Sequence, residues 1–459
     1  MESIVFKDNT FFLNKMKNNQ KLENKGFYLI SVDMGYGHQR AAYPFLNLAQ
    51  GGVITANNYP GASYEEKKIW KRDRVNYEAI SKFKAVPLVG SAVFSIMDYF
   101  QKIDPFYPRR DLSGVSFQQK HFFKKVKGGV GKNLINELNK NPLPIITTFF
   151  VASYFAEYYN YQEKIYCIIC DADISRAWAP INPKESRVIY LAPNLRVKER
   201  LILYGVKPEN IYLTGFPLPK ENIGDKQKIL KEDLKKRLAV LDPFLFYRTK
   251  YKKLLEAYLC PKCEIKKADR PLTLTFAVGG AGAQKELGKT ILKKLKNKIL
   301  EKKLKLNLVA GSRKDVYDFY LKVLKEEFLN NNNLVSLIYN PDKMNYFKDF
   351  NIILRTTDIL WTKPSELSFY AGLGLPIIMS EPIGSQEHYN RRWLLGIGAG
   401  VDSKNPKYVD EWLFDFLNSG WLAEAAMNGF LNAPKMGTYN IENLVLHNKI
   451  NEIDQTRIM

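Results

Sequence analysis

Short, continuously apolar runs recur along the chain, and each gives way to a loop and then to a segment of helical period. Phe27 to Val32, Leu143 to Thr147, Lys164 to Ile169, Arg187 to Ala192 and Asn210 to Leu213 form one series. Leu272 to Val278, Lys305 to Ala310, Leu334 to Tyr339, Ile359 to Thr362 and Leu375 to Met379 form a second. Runs without an apolar–polar alternation predict strands covered on both faces, as in parallel sheets built from strand–helix–strand units. Helices fit between them. Val151 to Tyr159 is one, and Asn194 to Tyr204 another, stopped by Gly205 and Val206. The tail from Pro406 reads as helical, with Trp412, Phe416 and Trp421 as core anchors.

Two stretches break this rhythm. Residues 56–141 are helical in tendency, aromatic and basic; residues 218–270 form a lysine-rich helical insert. Proline and glycine crowd Thr214 to Pro219 and mark a boundary there. A chain of 459 residues is too long for one core. The expected class is α/β: a Rossmann-like first domain over 1–217 interrupted by the insert 56–141, a linker over 218–270, and a second Rossmann-like domain with a helical tail over 271–459. No solenoid repeat is visible.

Composition, at 46% hydrophobic and 25% charged, excludes a disordered chain. Charge changes the picture more. A net +22 predicts a polyanionic partner, either an anionic membrane surface or nucleic acid. Gln101 to Lys132 holds eight Lys/Arg against two Asp, with Phe106, Tyr107, Phe117, Phe122 and Phe123 between them. That mixture suits a bilayer headgroup region, and equally a solvated basic face over an ordinary core. A grip on RNA ranks third, because no nucleic-acid module is recognisable. Ala85 to Phe100 is too short to span a bilayer, and Pro144 to Tyr161, with Glu157 and its tyrosines, reads as strand then helix. Four cysteines and no signal peptide point to a reducing interior, so the expected location is cytoplasmic and peripheral on the inner membrane face. Cys167/Cys170 and Cys260/Cys263 share a Cys-x-x-Cys spacing. A four-thiolate zinc site is weighed against buried strand cysteines, and the latter are favoured because alternate strand side chains diverge.

Candidate chemistry sits where strands end. After Val32, Asp33 to Ala42 places Gly35 and Gly37 before an alanine-rich helix start, with His38 at the helix mouth. After Ile169, Asp171 and Asp173 are acids at a strand end, suited to proton transfer or to helix capping. After Val278, Gly279 to Gln284 offers small residues before a long basic helix, a phosphate cradle without the Lys-Ser/Thr of a P-loop. Thr362 to Asn390 supplies the rest: Lys363, Pro364 and a Ser365 N-cap opening a short helix, then Gly384, Ser385, Gln386 and Glu387 beyond the next strand.

Taken in order, these pieces resemble the monogalactosyldiacylglycerol synthases, the processive diacylglycerol glucosyltransferases and the peptidoglycan N-acetylglucosaminyltransferases. The resemblance is carried by Gly35 to Ala42, Asp171 to Trp178, Thr214 to Pro217, Gly279 to Gly282, Gly311 to Arg313 and Met344, and by Gly374 to Pro376 running on to Gln386, Glu387 and Asn390. It covers roughly residues 27–55, 143–217 and 272–402. It implies the GT-B fold, in which two Rossmann-like domains face each other across a cleft. It also implies a nucleotide-sugar donor, usually a UDP-sugar, and a lipid or lipid-linked acceptor. By that resemblance Gly280, Ala281, Gly282, Ala283 and Gln284 face the diphosphate, Arg313 and Met344 the base, and Gly37 borders the donor. Lys363, Ser365, Glu366, Gln386, Glu387 and Asn390 complete the donor site. His38, Asp171 and Asp173 are the catalytic candidates, with inversion at the anomeric carbon and neither a metal nor a cofactor.

The chain departs from the family pattern at three places. Phe369 stands where a ribose-binding glutamate is usual, seven residues before Pro376, and Glu366 is the nearest substitute. The histidine usual near Asp171 is absent, and Pro219 with Lys220 replaces a basic residue. Two alternatives follow: a nucleotide-sugar 2-epimerase on the same fold, and a degenerate, non-catalytic protein binding membrane or nucleic acid.

Overall fold

A computed structural model describes residues 26–72, 103–259, 265, 266, 268–280, 282, 284–382 and 384–449. Its framework is two parallel sheets. In the first, β1 (Phe27–Ser31), β2 (Ala49–Thr55), β3 (Ile145–Thr147), β4 (Ile165–Ile168), β5 (Ile189–Ala192) and β6 (Ile211–Leu213) run in the order β2-β1-β3-β4-β5-β6. In the second, β7 (Leu272–Ala277), β8 (Leu304–Gly311), β9 (Val335–Tyr339), β10 (Ile359–Thr362), β11 (Ile377–Met379) and β12 (Gly400–Asp402) run in the order β12-β11-β10-β7-β8-β9. Each order reverses once, between β1 and β3 in the first sheet and between β7 and β10 in the second. At such a reversal the flanking helices pass to opposite faces and leave a crevice beyond the strand ends.

Residue alternation within the strands explains the two-sided burial. Tyr28, Ile30, Ile145, Cys167 and Tyr190 pack on one face of the first sheet. Phe27, Leu29, Ile146, Tyr166 and Leu191 pack on the other, in a cluster that continues without a break into the second sheet. Strands β2 and β12 fall outside the runs read from the sequence. In β2, Gly51 and Gly52 both take positive φ where the pairing with β1 shifts register, which interrupts the apolar pattern. Strand β12 is three residues long and opens on glycine.

Segments between and after the sheets tie the halves together. The helix Lys228–Leu241, within the 218–270 stretch, buries Leu230, Leu234, Leu238 and Leu241 in the shared cluster. Its Arg237 donates to the carbonyls of Leu354, Thr357, Leu373 and Gly374. The final helix, Gly437–His447, returns to the first domain, where Asn440 donates to the Thr214 carbonyl at 2.9 Å. A Cβ on Gly437 would lie 2.1 Å from the Phe216 carbonyl oxygen, so the approach requires glycine.

The basic, aromatic stretch divides. Phe106 is 3% exposed and lies under Arg196, whose guanidinium is 3.8 Å from the ring centre, so it is a core residue rather than an interfacial one. Tyr107 and Phe117 are well exposed. The helix Phe117–Lys127 is closed by a capping box between Ser116 and Gln119. The Ala85 to Phe100 run, Cys260 and Cys263 lie outside the described residues. Among the described residues no helix is long and apolar enough to cross a membrane. The whole is the GT-B arrangement: two Rossmann-like domains whose strand-end loops face one another.

Candidate functional site

The loops after β1, β3 and β4 and those after β7, β10 and β11 enclose one cleft of about 320 Å³. Both sheet reversals therefore open onto the same space. From the first domain come Met34 to His38, Phe149, Phe150, Cys170, Asp171 and Trp178. From the second come Val278 to Gly280, Thr362, Lys363, Ser365, Glu366, Gly384, Gln386, Glu387 and Asn390. The turn near residue 280 and the loop near 386, more than a hundred residues apart in sequence, border the same cleft.

Two glycines ease this approach. A Cβ on Gly37 would sit 3.1 Å from a Glu366 carboxylate oxygen, and one on Gly280 would sit 3.3 Å from the Gly35 Cα. Side chains there would push each neighbour back by a few tenths of an ångström. The turn itself is closed by Gly282 N–H donating to the Gly279 carbonyl at 2.8 Å, and it leads into the sixteen-residue helix Lys285–Leu300. Lys363 packs its stem beside Gly279 and its ammonium on the Glu387 carboxylate. An anion over the Gly279–Gly280 turn would thus meet main-chain amides, a helix N-terminus and a held cation. Gln284, just before that helix, has a buried Oε1 with no hydrogen-bond partner among the described residues.

His38 lies opposite. Its Nδ1 is 2.6 Å from the Thr148 carbonyl oxygen, which can only accept, so Nδ1 carries the proton. Burial pushes the imidazole pKa down, against the Thr148 hydrogen bond and the Glu366 charge. The ring is therefore neutral near neutral pH, and Nε2 is left as an acceptor. Phe149 and Trp178 flank the ring, with centroids at 5.0 and 6.3 Å.

Asp171 stands on the same wall. Asn390 donates to its Oδ1 at 3.0 Å and accepts from the Ala172 N–H at 2.7 Å, so one amide from the second domain fixes the loop after β4. Burial, the largest influence, pushes this carboxyl up to about 6. The Asn390 hydrogen bond opposes the rise, Glu366 and Glu387 add to it, and Lys363 works against them. An acid poised there can exchange a proton near neutral pH. Cys170, beside it, is buried and its thiol is pushed well up, first by burial, so it is not a nucleophile.

Asp173 is not part of the cleft. It is 1% exposed, with Arg196 at 2.9 Å on Oδ2 and Arg200 at 2.8 Å on Oδ1 and 2.9 Å on Oδ2. Both oxygens are taken by guanidinium groups, so its expected catalytic role is replaced by a structural one. Arg313 pairs with Asp315 at 2.9 Å and lies beside Gly282, while Met344 packs on the core; neither lines the cleft. Gly282 and Gln284 border the turn without lining the cleft, and Ala281 and Ala283 lie outside the described residues. Ser365 reaches the cleft but makes no capping hydrogen bond, and the segment it precedes, Glu366–Leu373, is a 3₁₀ helix. Phe369 is 1% exposed, stacked on Phe216 at 4.7 Å and against Trp393 at 4.9 Å. The missing glutamate position is thus an aromatic core contact and does not line the cleft.

Several contacts at the site carried no sequence signal. Arg40 is 2% exposed; it donates to Glu366 and to the Tyr346 hydroxyl, each at 3.1 Å, and lies over Phe347 and Phe350. Tyr36 crosses the cleft so that its hydroxyl accepts from the Ser312 N–H at 2.9 Å. Asp33 pairs with Lys343. All three contacts join the two domains. Among the described residues no group of three His, Cys, Asp or Glu could hold a metal ion.

Comparison with known proteins adds the following. A domain of unknown function (DUF6938) matches residues 260–445. No curated protein matches the sequence. Among solved structures, MurG of Acinetobacter baumannii is 12% identical with a TM-score of 0.45, over 92% of this chain and 99% of its own. The UDP-GlcNAc 2-epimerase of Neisseria meningitidis, bound to UDP-GlcNAc, is 13% identical with a TM-score of 0.42, over 78% and 88%. Anabaena HepE in complex with UDP is 10% identical with a TM-score of 0.41, over 92% and 100%.

Proposed function

We propose that this chain transfers a sugar from a nucleotide sugar, of the UDP-sugar class, to a hydroxyl of a lipid or lipid-linked acceptor. One observation carries the reading. The small-residue turn at Gly279–Gly280 and the acceptor nitrogen of His38 open onto the same cleft from opposite domains. The donor's diphosphate lies on the turn, its negative charge met by amides and Lys363. Gln386 and Glu387 take sugar hydroxyls. The acceptor enters along the aromatic wall of Phe122, Phe149, Phe150 and Trp178, which suits an apolar body.

In the reaction the acceptor oxygen attacks the anomeric carbon as the bond from that carbon to the diphosphate oxygen breaks. The electron pair leaves with the diphosphate, and the acceptor proton passes to His38 Nε2 or to ionised Asp171. Configuration at the anomeric carbon inverts. Glu366 is occupied by Arg40 and acts through loop position rather than as the base. Incubation of the full chain with UDP-sugars and extracted lipid tests this, with nucleoside diphosphate and glycolipid as the expected products. Absence of both across the donors refutes it.

A second reading has its own support. His38 and Asp171, two groups able to exchange protons, line one cleft together with Glu387, and this suits a nucleotide-sugar 2-epimerase. That enzyme would isomerise UDP-sugar with no acceptor present. Product analysis with and without lipid separates the two.

A further inference from the structure

Asp242 to Phe246 forms the turn between the helices Lys228–Leu241 and Phe246–Lys250, a tip between two helix ends remote in sequence from the aromatic stretch of the first domain. Its three consecutive large apolar residues are all exposed: Phe244 at 59%, Leu245 at 47% and Phe246 at 58%. Single exposed apolar side chains are ordinary, but a contiguous exposed run marks an interaction surface. The tip is built rather than frayed. The buried Asp242 carboxylate accepts from the Tyr247 N–H at 3.2 Å and the Arg248 N–H at 2.8 Å, and it pairs with the Arg248 guanidinium at 3.2 Å. Leu245 is held at φ +64°, a conformation costly for a leucine, with its N–H on the Asp242 carbonyl. The two rings stay 5.9 Å apart. The fold thus anchors the flanks and holds the apolar side chains outward.

What the tip meets follows from its surroundings. Lys250, Lys252 and Lys253 are exposed just beyond it, and Lys250 lies over the Tyr251 ring at 5.1 Å. The apolar area offered is roughly 300 Å², well short of the about 800 Å² per partner of a stable protein interface. Two exposed aromatic rings and a leucine followed within seven residues by three exposed lysines match a bilayer interface, where rings enter the headgroup level and lysines meet anionic phosphates. We propose that Phe244, Leu245 and Phe246 form a membrane-docking tip that inserts into an anionic bilayer, with Lys250, Lys252 and Lys253 as its electrostatic rim. This surface is separate from the helix Phe117–Lys127 and does not depend on what reaction the cleft performs.

Co-sedimentation of the full chain with vesicles tests it, using phosphatidylcholine alone and an equimolar phosphatidylcholine–phosphatidylglycerol mixture. The chain is expected to bind the anionic vesicles and to be released by salt. Phe244→Ser with Phe246→Ser is expected to weaken binding roughly tenfold or more while leaving the thermal midpoint unchanged, because both side chains are exposed. Lys252→Ala with Lys253→Ala is expected to weaken binding to the mixed vesicles only. Phe117→Ser serves as the control for the other surface. Undiminished binding by the Phe244/Phe246 variant, or loss confined to Phe117→Ser, overturns the assignment. So does self-association abolished by the Phe244/Phe246 change, which would make a second copy the partner.

Discussion

Asp171 and Asp173 lie two residues apart, and their surroundings assign them opposite roles that one pair of substitutions can separate. Asp173 neutralises two buried arginines, Arg196 and Arg200. Asp173→Asn keeps the shape but leaves both guanidinium charges facing a neutral amide, a loss of about 3–5 kcal/mol. Asp171 has its carboxyl pushed from the usual 3.8 up to about 6. A group raised in the folded state contributes its full stability below the unfolded pKa and loses it as pH rises through the folded value. At about pH 7 the ionised Asp171 therefore opposes folding, by on the order of 1–2 kcal/mol once screening at the open side of the cleft is allowed for. Asp171→Asn retains the oxygen that accepts from Asn390 and removes that opposition. The variant should gain about 1–2 kcal/mol at about pH 7 and nothing near pH 4. Urea unfolding of the full chain, followed by tryptophan fluorescence at both pH values, measures each. An Asp173→Asn protein as stable as the parent, or an Asp171→Asn protein several kcal/mol weaker, would refute the reasoning.

Further outcomes follow from other contacts. Phe369→Glu, which restores the residue usual in the resembling family, should cost at least about 4 kcal/mol, because it puts a carboxylate between Phe216 and Trp393; a gain in nucleotide affinity on calorimetry would show the site differently built. Arg40→Ala should cost about 3–5 kcal/mol in denaturant, since it leaves Glu366 unpaired at the domain junction. His38, with its pKa lowered first by burial, contributes stability above its unfolded value that fades as pH falls. His38→Gln should flatten that acid-side loss in a pH series of melting temperatures. If His38 is the base, His38→Gln should also cut turnover about a hundredfold or more with donor affinity unchanged.

How much of this was legible in the sequence differs from element to element. The strands with unbroken apolar runs were readable because burial on both faces leaves no polar position. Glycine turns at Gly35–Gly37 and Gly279–Gly280 were readable because glycine favours the positive φ taken at Gly35 and eases close loop contact at Gly37 and Gly280. The partition of the two acids was not. It depends on Arg196 and Arg200, which arrive from the helix Leu195–Leu203 and claim Asp173. Phe369 read as a defect in a ligand site because the stacking partner, Phe216, comes from the other half of the chain. Arg40 and Glu366 are 326 positions apart, and no local pattern marks such a pair. The same holds for Asn390, which reads as one more donor-site polar residue until the first domain's Asp171 and Ala172 are set against it.

The proposed transfer requires a pyrophosphate held by main-chain amides at the domain junction, and ligand-dependent unfolding of the full chain tests that most directly. In a thermal series with UDP, GDP, CDP and their sugars, a UDP-sugar at a hundred times its dissociation constant should stabilise the fold by about 2.7 kcal/mol. Lys363→Ala should shift the same response to higher ligand concentration. An unfolding profile unmoved by every nucleotide and nucleotide sugar in the series would contradict it.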